Sequence, residues 1–354
     1  MSWKQTTLGE IVNLKRGFDL PASKRIEGPY PIYSSSGQTG THSEAAVNGP
    51  CVITGRYGTI GQVFFSDKSC WPLNTSLYST DFKGNNPRFV YYLLKTVPWQ
   101  EYTTASAVPG VNRNHVHRCP VYVPDYRTQT AIVSVLGALD EQMATNVKLN
   151  GYLEELARVI VQRLFPGYHG GNDSVGNYVE PKRGRTLLSK NAIPGEVPVV
   201  AGGLKPATLH NESNTLPPVL TISSSGANAG YVGLWGIPVW SSDSSFIDSS
   251  ISEDVYFWYT VLSMRQNEIY DAQTGSAQPH IYPQQIKELP IAPIDDKLIK
   301  RLNEKIAPLY ETISANKIEN KKLADLRDAL LPKLMSGEID VSKINLTQLN
   351  SHLA

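Results

Sequence analysis

Apolar positions alternate at spacings of three and four from residue 125 to residue 165: Ile132, Leu136, Leu139, Met143, then Asn146 and Asn150, then Leu153, Ala157, Ile160 and Leu164. This is the seam of a long amphipathic helix that packs lengthwise on a partner. The same phase returns 170 residues later as Leu302, Ile306, Leu309, Ile313, Asn316, Asn320, Leu323, Arg327, Leu330 and Leu334. Two asparagines again mark the midpoint. Asp125 and Asp295 follow proline-rich entries and are placed to cap a first turn. Pro166-Gly167 and Gly337 end the two stretches. At ~1.5 Å per residue each helix is roughly 60 Å long. Pro308 removes one backbone hydrogen bond and is expected to kink or split the second helix.

Antiparallel pairing sets Asn146 against Asn320 and Asn150 against Asn316. It also sets Ile132 by Leu334, Leu136 by Leu330, Met143 by Leu323 and Leu164 by Leu302. Buried Asn pairs cost stability but penalise slips of register; the alternative is that each Asn faces solvent. Leu139 falls opposite Arg327, acceptable if the Arg stem packs and its head reaches water.

The repeat extends beyond the helices. Residues 8–17 match 175–184 at an offset of 167, both ending in Lys-Arg-Gly, and Pro31-Ile32-Tyr33 matches Pro198-Val199-Val200. Pro50-Cys51-Val52-Ile53-Thr54 matches Pro217-Pro218-Val219-Leu220-Thr221, also at 167, and Trp71 matches Trp240. Ser106-Ala107-Val108-Pro109 matches Ser276-Ala277-Gln278-Pro279. Short apolar strands at Val52–Thr54, Gln62–Phe65, Val219–Ile222 and Tyr231–Leu234 are separated by Gly and Ser turns. Phe89–Leu94 and Val255–Tyr259 read as short helices whose aromatics fill core.

The expected architecture is therefore mixed α/β: two β-rich domains in a tandem pseudo-twofold repeat, joined by two long antiparallel coiled-coil helices. The expected boundaries are 1–124, a spacer helix 125–165, a second domain 166–293, a distal helix 294–337, and a polar tail 338–354 with little to bury.

The formal net charge of +1 names no partner. Its partition is more informative. Residues 1–124 hold 12 Lys and Arg against 7 Asp and Glu, a balance of +5; residues 166–293 hold 7 against 11, a balance of −4. No run of eighteen apolar residues occurs, so no membrane span is expected. The opening Met1-Ser2-Trp3-Lys4 does not read as a signal peptide. Cys51, Cys70 and Cys119 lie at no metal-binding spacing and read as buried reduced thiols of a cytoplasmic protein.

Catalytic motifs are missing from the sequence. There is no phosphate loop and no Gly-x-Gly-x-x-Gly after a strand. Leu216-Pro217-Pro218-Val219 lacks the amide or acid and the aromatic of an adenine amino-methyltransferase tetrad. Asp125 is followed by Glu141-Gln142-Met143, which lacks the lysine a metal-dependent nuclease wants. His115 and His117 alone do not make a metal site. The expectation is a chain that catalyses nothing by itself, holds no metal and carries no cofactor.

What remains suits DNA. Lys15-Arg16 and Lys182-Arg183, the latter with Arg185, can hold phosphates; the bland reading is a solvated basic turn. The loops Gly55–Gly61 and Ser223–Gly230 are equivalent. In them Arg56, Tyr57, Thr59, Ser224, Ser225 and Asn228 are candidates, with Arg56 able to read guanine and Asn228 adenine; the bland reading is a glycine hairpin. The loops 112–115 and 280–285 add Arg113, Asn114, His115, His280, Tyr282 and Gln284, although they can simply anchor the helices that follow. Frames agree while loop residues differ, as expected if each half reads a different word.

A globular region and a long helix, repeated, with Lys-Arg-Gly starts and a Gly-x-x-Gly loop, resembles the specificity subunit of type I restriction–modification enzymes over essentially the whole chain. That resemblance implies two target recognition domains, a bipartite asymmetric DNA target with a fixed gap, and helices as spacers. It implies double-stranded DNA as ligand, two modification subunits that bind S-adenosylmethionine and methylate adenine N6, and restriction (motor–nuclease) subunits. The chain is short for that family, so its recognition domains are compact. The exposed helix faces are then expected to dock the modification subunits; Glu154, Glu155, Lys321 and Lys322 lie off the seam there, although solvated surface is the default for such charges. Alternatives are the specificity chain of a related type II system and a tandem-repeat scaffold that binds only protein.

Overall fold

Each repeat alternates short β-strands with tight turns, and each ends in one of the long seams. The computed structural model describes residues 3–104, 109–275 and 278–344. It divides into two compact units, one running to Met143 and resuming at Lys322, the other spanning Ala144–Lys321.

The first unit contains β1 (Trp3–Thr7), β2 (Asn13–Arg16), β3 (Tyr30–Ser34), β4 (Gly37–His42), β5 (Cys51–Gly55), β6 (Val63–Ser66), β7 (Trp71–Pro72) and β8 (Ser76–Asp81). Then come α1 (Pro87–Lys95), β9 (Thr103–Thr104), β10 (Gly110–Val111), α2 (Arg113–Val116), β11 (Pro120–Pro124) and the start of α3 (Tyr126–Leu164). Its main sheet runs β2-β8-β5-β6, all antiparallel. A second sheet runs β4-β3-β7, with β3 and β7 parallel. Pro87 opens α1 behind Asn86, whose side chain accepts the N–H groups of Arg88 and Phe89, an ordinary cap. Phe89, Val90, Leu93 and Leu94 of α1 are buried with Leu14, Val52 and Leu77 of the main sheet and with Ile132, Val135 and Leu136 of α3.

The second unit repeats the plan. It has β12 (Asp173–Ser174), β13 (Lys182–Arg183), β14 (Val197–Val200), β15 (Thr208–His210), β16 (Val219–Ser223), β17 (Val232–Trp235), β18 (Trp240–Ser241) and β19 (Ser244–Asp248). There follow α4 (Val255–Met264), α5 (Gln266–Asp271), α6 (Pro283–Lys287), β20 (Pro290–Ile291) and most of α7 (Asp296–Ser336). The sheets β13-β19-β16-β17 and β15-β14-β18 match those of the first unit strand for strand. Phe257 and Trp258 of α4 are buried with Leu220, Ile222 and Ile247 of the sheet, as core-filling aromatics.

Register corrects one alignment. Ile53 pairs with Tyr78, and Thr221 pairs with Phe246. Because β2 and β13 place Tyr78 and Phe246 at equivalent rungs, Ile53 corresponds to Thr221, an offset of 168 rather than 167. The shared Thr in each strand suggested the wrong rung, and a one-residue slip reverses which face a side chain occupies.

The helix pair runs antiparallel within the second unit: Asn146 Nδ2 donates to Asn320 Oδ1 at 2.9 Å, and Asn316 Nδ2 donates to Asn150 Oδ1 at 2.7 Å. The register is the expected one, and Asn146 is buried. Asn146 also donates to Glu319 at 2.7 Å. Within the first unit Leu139 is fully buried, and the Arg327 head, 20% exposed, pairs with Asp140 and with the exposed Asp328, each at 2.8 Å. Burial works against the Arg327 charge, and the hydrogen bonds it donates to Asp140 and Asp328 more than offset it, raising its pKa.

Three details depart from expectation. Leu164 is 47% exposed, and Phe165 is buried in its stead; φ of −137° takes Phe165 out of the helix ahead of Pro166. The helix α7 is not split at Pro308, and Thr312 Oγ1 donates to the Pro308 carbonyl at 2.8 Å. Past α7, Val341 is buried and Ile339 and Ile344 pack on the first core, so this stretch is not a bare tail; 345–354 and the matched 106–108 and 276–277 lie outside the described residues. Asp125 accepts the Thr128 N–H at 2.9 Å and Asp295 that of Lys297 at 2.8 Å, as caps should. The three cysteines are buried and unbridged. Among the described residues no helix is long and apolar enough to cross a membrane.

Candidate nucleic-acid interface

Packing explains the glycine of each Lys-Arg-Gly and leaves the cations to solvent. A Cβ on Gly17 would lie 2.3 Å from the Leu73 carbonyl oxygen, and one on Gly184 would lie 2.5 Å from that of Ser241. Lys15, Arg16, Lys182 and Arg183 are exposed beside them.

In the first unit the end of β2 meets the loop after β5. The Arg56 and Tyr57 N–H groups both bond the Thr75 carbonyl, at 2.8 and 3.1 Å. The Arg56 guanidinium lies 4.5 Å from the Tyr57 ring centre, a cation–π arrangement. Gly110 is required here, since a Cβ would come within 2.4 Å of the Tyr57 ring. Asn112 caps α2 through the Asn114 N–H at 3.0 Å. The result is an open cleft of about 640 Å³ whose lining includes Lys15, Arg16, Arg56, Tyr57 and Arg113, with Phe18 as a second aromatic. Four cations and two aromatic rings around one groove suit a phosphate backbone and exposed base edges. Thr59, Asn114 and His115 are not in its lining. His117 is a tether: its Nε2 accepts the Leu14 N–H at 3.0 Å, and burial lowers its pKa.

The second unit arranges its residues differently. Arg183 pairs with Asp243 at 3.0 Å and lies 5.4 Å from the centre of the Tyr282 ring. Tyr282 stacks on His280 at 6.0 Å and 15°. Asp243 also accepts the Ser225 hydroxyl. Arg185 sits 6.0 Å over Trp240. Ser224 leaves the candidate surface, because its side chain is fully buried; its backbone is held by Asp243 and Ile281. The Gln284 amide is taken by Glu288 at 2.7 Å. Asn228 is half-buried, its carbonyl accepting the Tyr231 N–H, and Lys182 is exposed. Among the described residues no cluster of three metal-ligating side chains occurs.

Two features escaped sequence reasoning. Asp243 lies in the run Trp-Ser-Ser-Asp-Ser-Ser, where nothing marks it as a partner of Arg183. His42 and His210 form a repeated anchor: each Nδ1 accepts a loop N–H, from Ile26 at 3.1 Å and Ile193 at 3.0 Å. Each ring packs edge-on at 5.1 Å against Trp71 or Trp240. The matched tryptophans were the available signal, since histidines at an offset of 168 accompany them. Glu154 is also unlike the expected docking charge: it accepts the Tyr259 hydroxyl at 3.0 Å and pairs with Arg158 at 2.8 Å.

Residues 1–155 match the family described as Type I restriction modification DNA specificity domain. The specificity subunit of the type I restriction enzyme EcoprrI of Escherichia coli is 24% identical over 143 residues, covering 39% of this chain and 36% of that one. The specificity subunit of the MjaIX enzyme of Methanocaldococcus jannaschii is 32% identical over 99 residues, covering 28% and 23%. The aligned stretches thus span about a third and a quarter of those relatives. In fold, the chain is similar to the crystal structure of a type I restriction–modification S subunit from M. genitalium, with a TM-score of 0.62 at 19% identity, covering 94% of this chain and 96% of that one. By sequence, residues 1–155 are thus similar to the type I restriction–modification DNA specificity domain, and the whole chain shares the fold of an S subunit.

Proposed function

We propose that this chain is the DNA-reading component of a type I restriction–modification complex. Each unit reads one half of a bipartite, asymmetric target, and the chain itself is not a catalyst. Methyl transfer from S-adenosylmethionine to adenine belongs to two modification subunits, and cleavage to motor–nuclease subunits. The observation that carries this reading is the basic, aromatic cleft of the first unit, built from the same strand ends and loops that return in the second unit with other side chains. Frames that repeat while their reading edges differ suit two different words.

The long helices act as the ruler. Asn146–Asn320 and Asn150–Asn316 fix their register, so helix length sets the gap between half-sites. Adding one heptad within Asp140–Leu156 and one in the matching part of α7 is expected to lengthen the gap and leave both words unchanged, as mapped from methylated adenines. An unchanged gap refutes the ruler. Exchange of 168–293 for the matching region of another family member is expected to alter one half-site; alteration of both refutes the modular reading.

A further inference from the structure

The two units differ most at one pair of equivalent positions. The Arg56 N–H bonds the Thr75 carbonyl at 2.8 Å, and the Ser224 N–H bonds the Asp243 carbonyl at 3.0 Å. Ser224 therefore takes the place of Arg56, and Asp243 the place of Thr75. The first unit presents a cation there with no acid opposite; the second presents an acid with no cation of its own. That acid turns to Arg183. One Asp243 oxygen holds the guanidinium at 3.0 Å, and the other accepts the Ser225 hydroxyl, so the carboxylate does not swing freely. Beneath the guanidinium lies the Tyr282 ring, itself stacked on His280.

An arginine held between a carboxylate and an aromatic face is a poor phosphate clamp. Its charge is neutralised at short range, and a phosphate must compete with a fixed carboxylate. The remaining N–H edge of the fork stays directed and suits base-edge recognition. Arg16, the counterpart of Arg183, bonds Asp19, but both side chains are more than half exposed, so water and salt screen that pair.

We propose that Asp243 is a charge lock: it withholds Arg183 from the DNA backbone, so that the second unit adds selectivity with little non-specific affinity. This rests on the DNA-reading function proposed above. It assigns Asp243 as a positioning residue, acting on DNA through Arg183.

The test uses the full chain and a fluorescein-labelled duplex of arbitrary sequence, with affinity measured by anisotropy across a salt series. Asp243→Asn is expected to tighten binding at low salt and steepen the salt dependence by one phosphate contact, a slope change of about 0.9. Between about 50 and 200 mM salt that corresponds to a further 3.5-fold or so of lost affinity. Adding Arg183→Gln to Asp243→Asn should return the slope to that of the unaltered chain. Arg183→Gln alone should leave the slope unchanged, whereas Arg56→Gln should lower it by about 0.9. If Arg183→Gln lowers the slope as much as Arg56→Gln, the lock is refuted while the DNA-reading function stands, and this arm does not depend on Asp243→Asn folding. An Asp243→Asn chain that folds with an unchanged slope refutes it as well. An unaltered chain without salt-dependent affinity for any duplex overturns the DNA-reading function and the lock together.

Discussion

The first unit collects Lys15, Arg16, Arg56 and Arg113 around one cleft, whereas the second pairs Arg183 with an acid and sets Arg185 over Trp240. The same sheets, in the same strand order, carry both arrangements. The difference shows that strand ends and loop frames are the conserved part of the design, and that charge is adjustable on top of them. It also explains a chain whose net charge is nearly zero: the +5 of residues 1–124 and the −4 of residues 166–293 belong to separate units.

The largest expected effect breaks this contrast directly. Replacing Arg16, Arg56 and Arg113 together by Gln is expected to lower the salt slope of non-specific DNA binding by about 2.7, on the order of 0.9 per phosphate contact. Replacing Lys182, Arg183 and Arg185 should lower it by less, because Arg183 is already neutralised. Equal losses from the two sets, measured by anisotropy titration over salt, would falsify the division of labour.

A second, smaller effect sharpens the contrast at the helices. In the first unit Arg327 and Asp140 are 20% and 26% exposed, and the Tyr92 hydroxyl also donates to Asp140 at 2.6 Å. Burial foremost, then that hydrogen bond, pushes the Tyr92 phenol well above its ordinary range. The second unit places Tyr259 on Glu154, whose partner Arg158 is 38% exposed. Arg327→Met leaves Asp140 half-buried without its cation and should cost about 2 kcal/mol, below the roughly 3–5 kcal/mol of a fully buried pair because both side chains keep some exposure. Arg158→Met should cost about 0.5 kcal/mol or less, as for a surface pair. Urea unfolding midpoints of the two variants separate the cases, and similar losses would show that the ties are equivalent.

These contrasts also show what was legible in the sequence. Helix phase and the two asparagine pairs were readable because a three-four seam permits one antiparallel register when polar residues must meet. The sheets were readable as short apolar runs, but the rung was not: Thr54 and Thr221 look equivalent, and only the pairing of Ile53 with Tyr78 and Thr221 with Phe246 shows the slip. The cations of the first cleft were readable as basic residues at turns. Asp243, Trp240 beneath Arg185, and the inward side chain of Ser224 were not, because each depends on which residues distant in sequence share a rung or a loop end. The fate of Leu164 was hidden for a related reason. Heptad phase continues on paper past the point where Phe165 turns out of the helix.

The last contrast lies where β2 and β13 leave their turns. In the first unit the Leu14 N–H needs an acceptor and finds His117 Nε2 at 3.0 Å. In the second unit the matching residue is Pro181, which has no N–H to satisfy. The position of His117, packed against Gly9, is there taken by Lys287, packed against Gly176 and paired with Glu180 at 2.7 Å. Burial lowers the His117 pKa, with Arg113 and Lys83 adding repulsion. The sign follows from linkage: below the unfolded value of about 6.5 the unfolded chain binds a proton that the folded imidazole resists. The contribution of the neutral ring is therefore complete above that pH and is lost as pH falls through the lower folded value, together with the acceptor for Leu14. The first unit should lose stability between neutral and mildly acid pH by this route, and the second has no histidine at this position to do so. His117→Gln should flatten the pH dependence of amide exchange at Leu14 and its sheet neighbours while leaving exchange in β13 as it was. An equal pH dependence in both units of the unaltered chain, or one that persists undiminished in His117→Gln, would place the titrating group elsewhere.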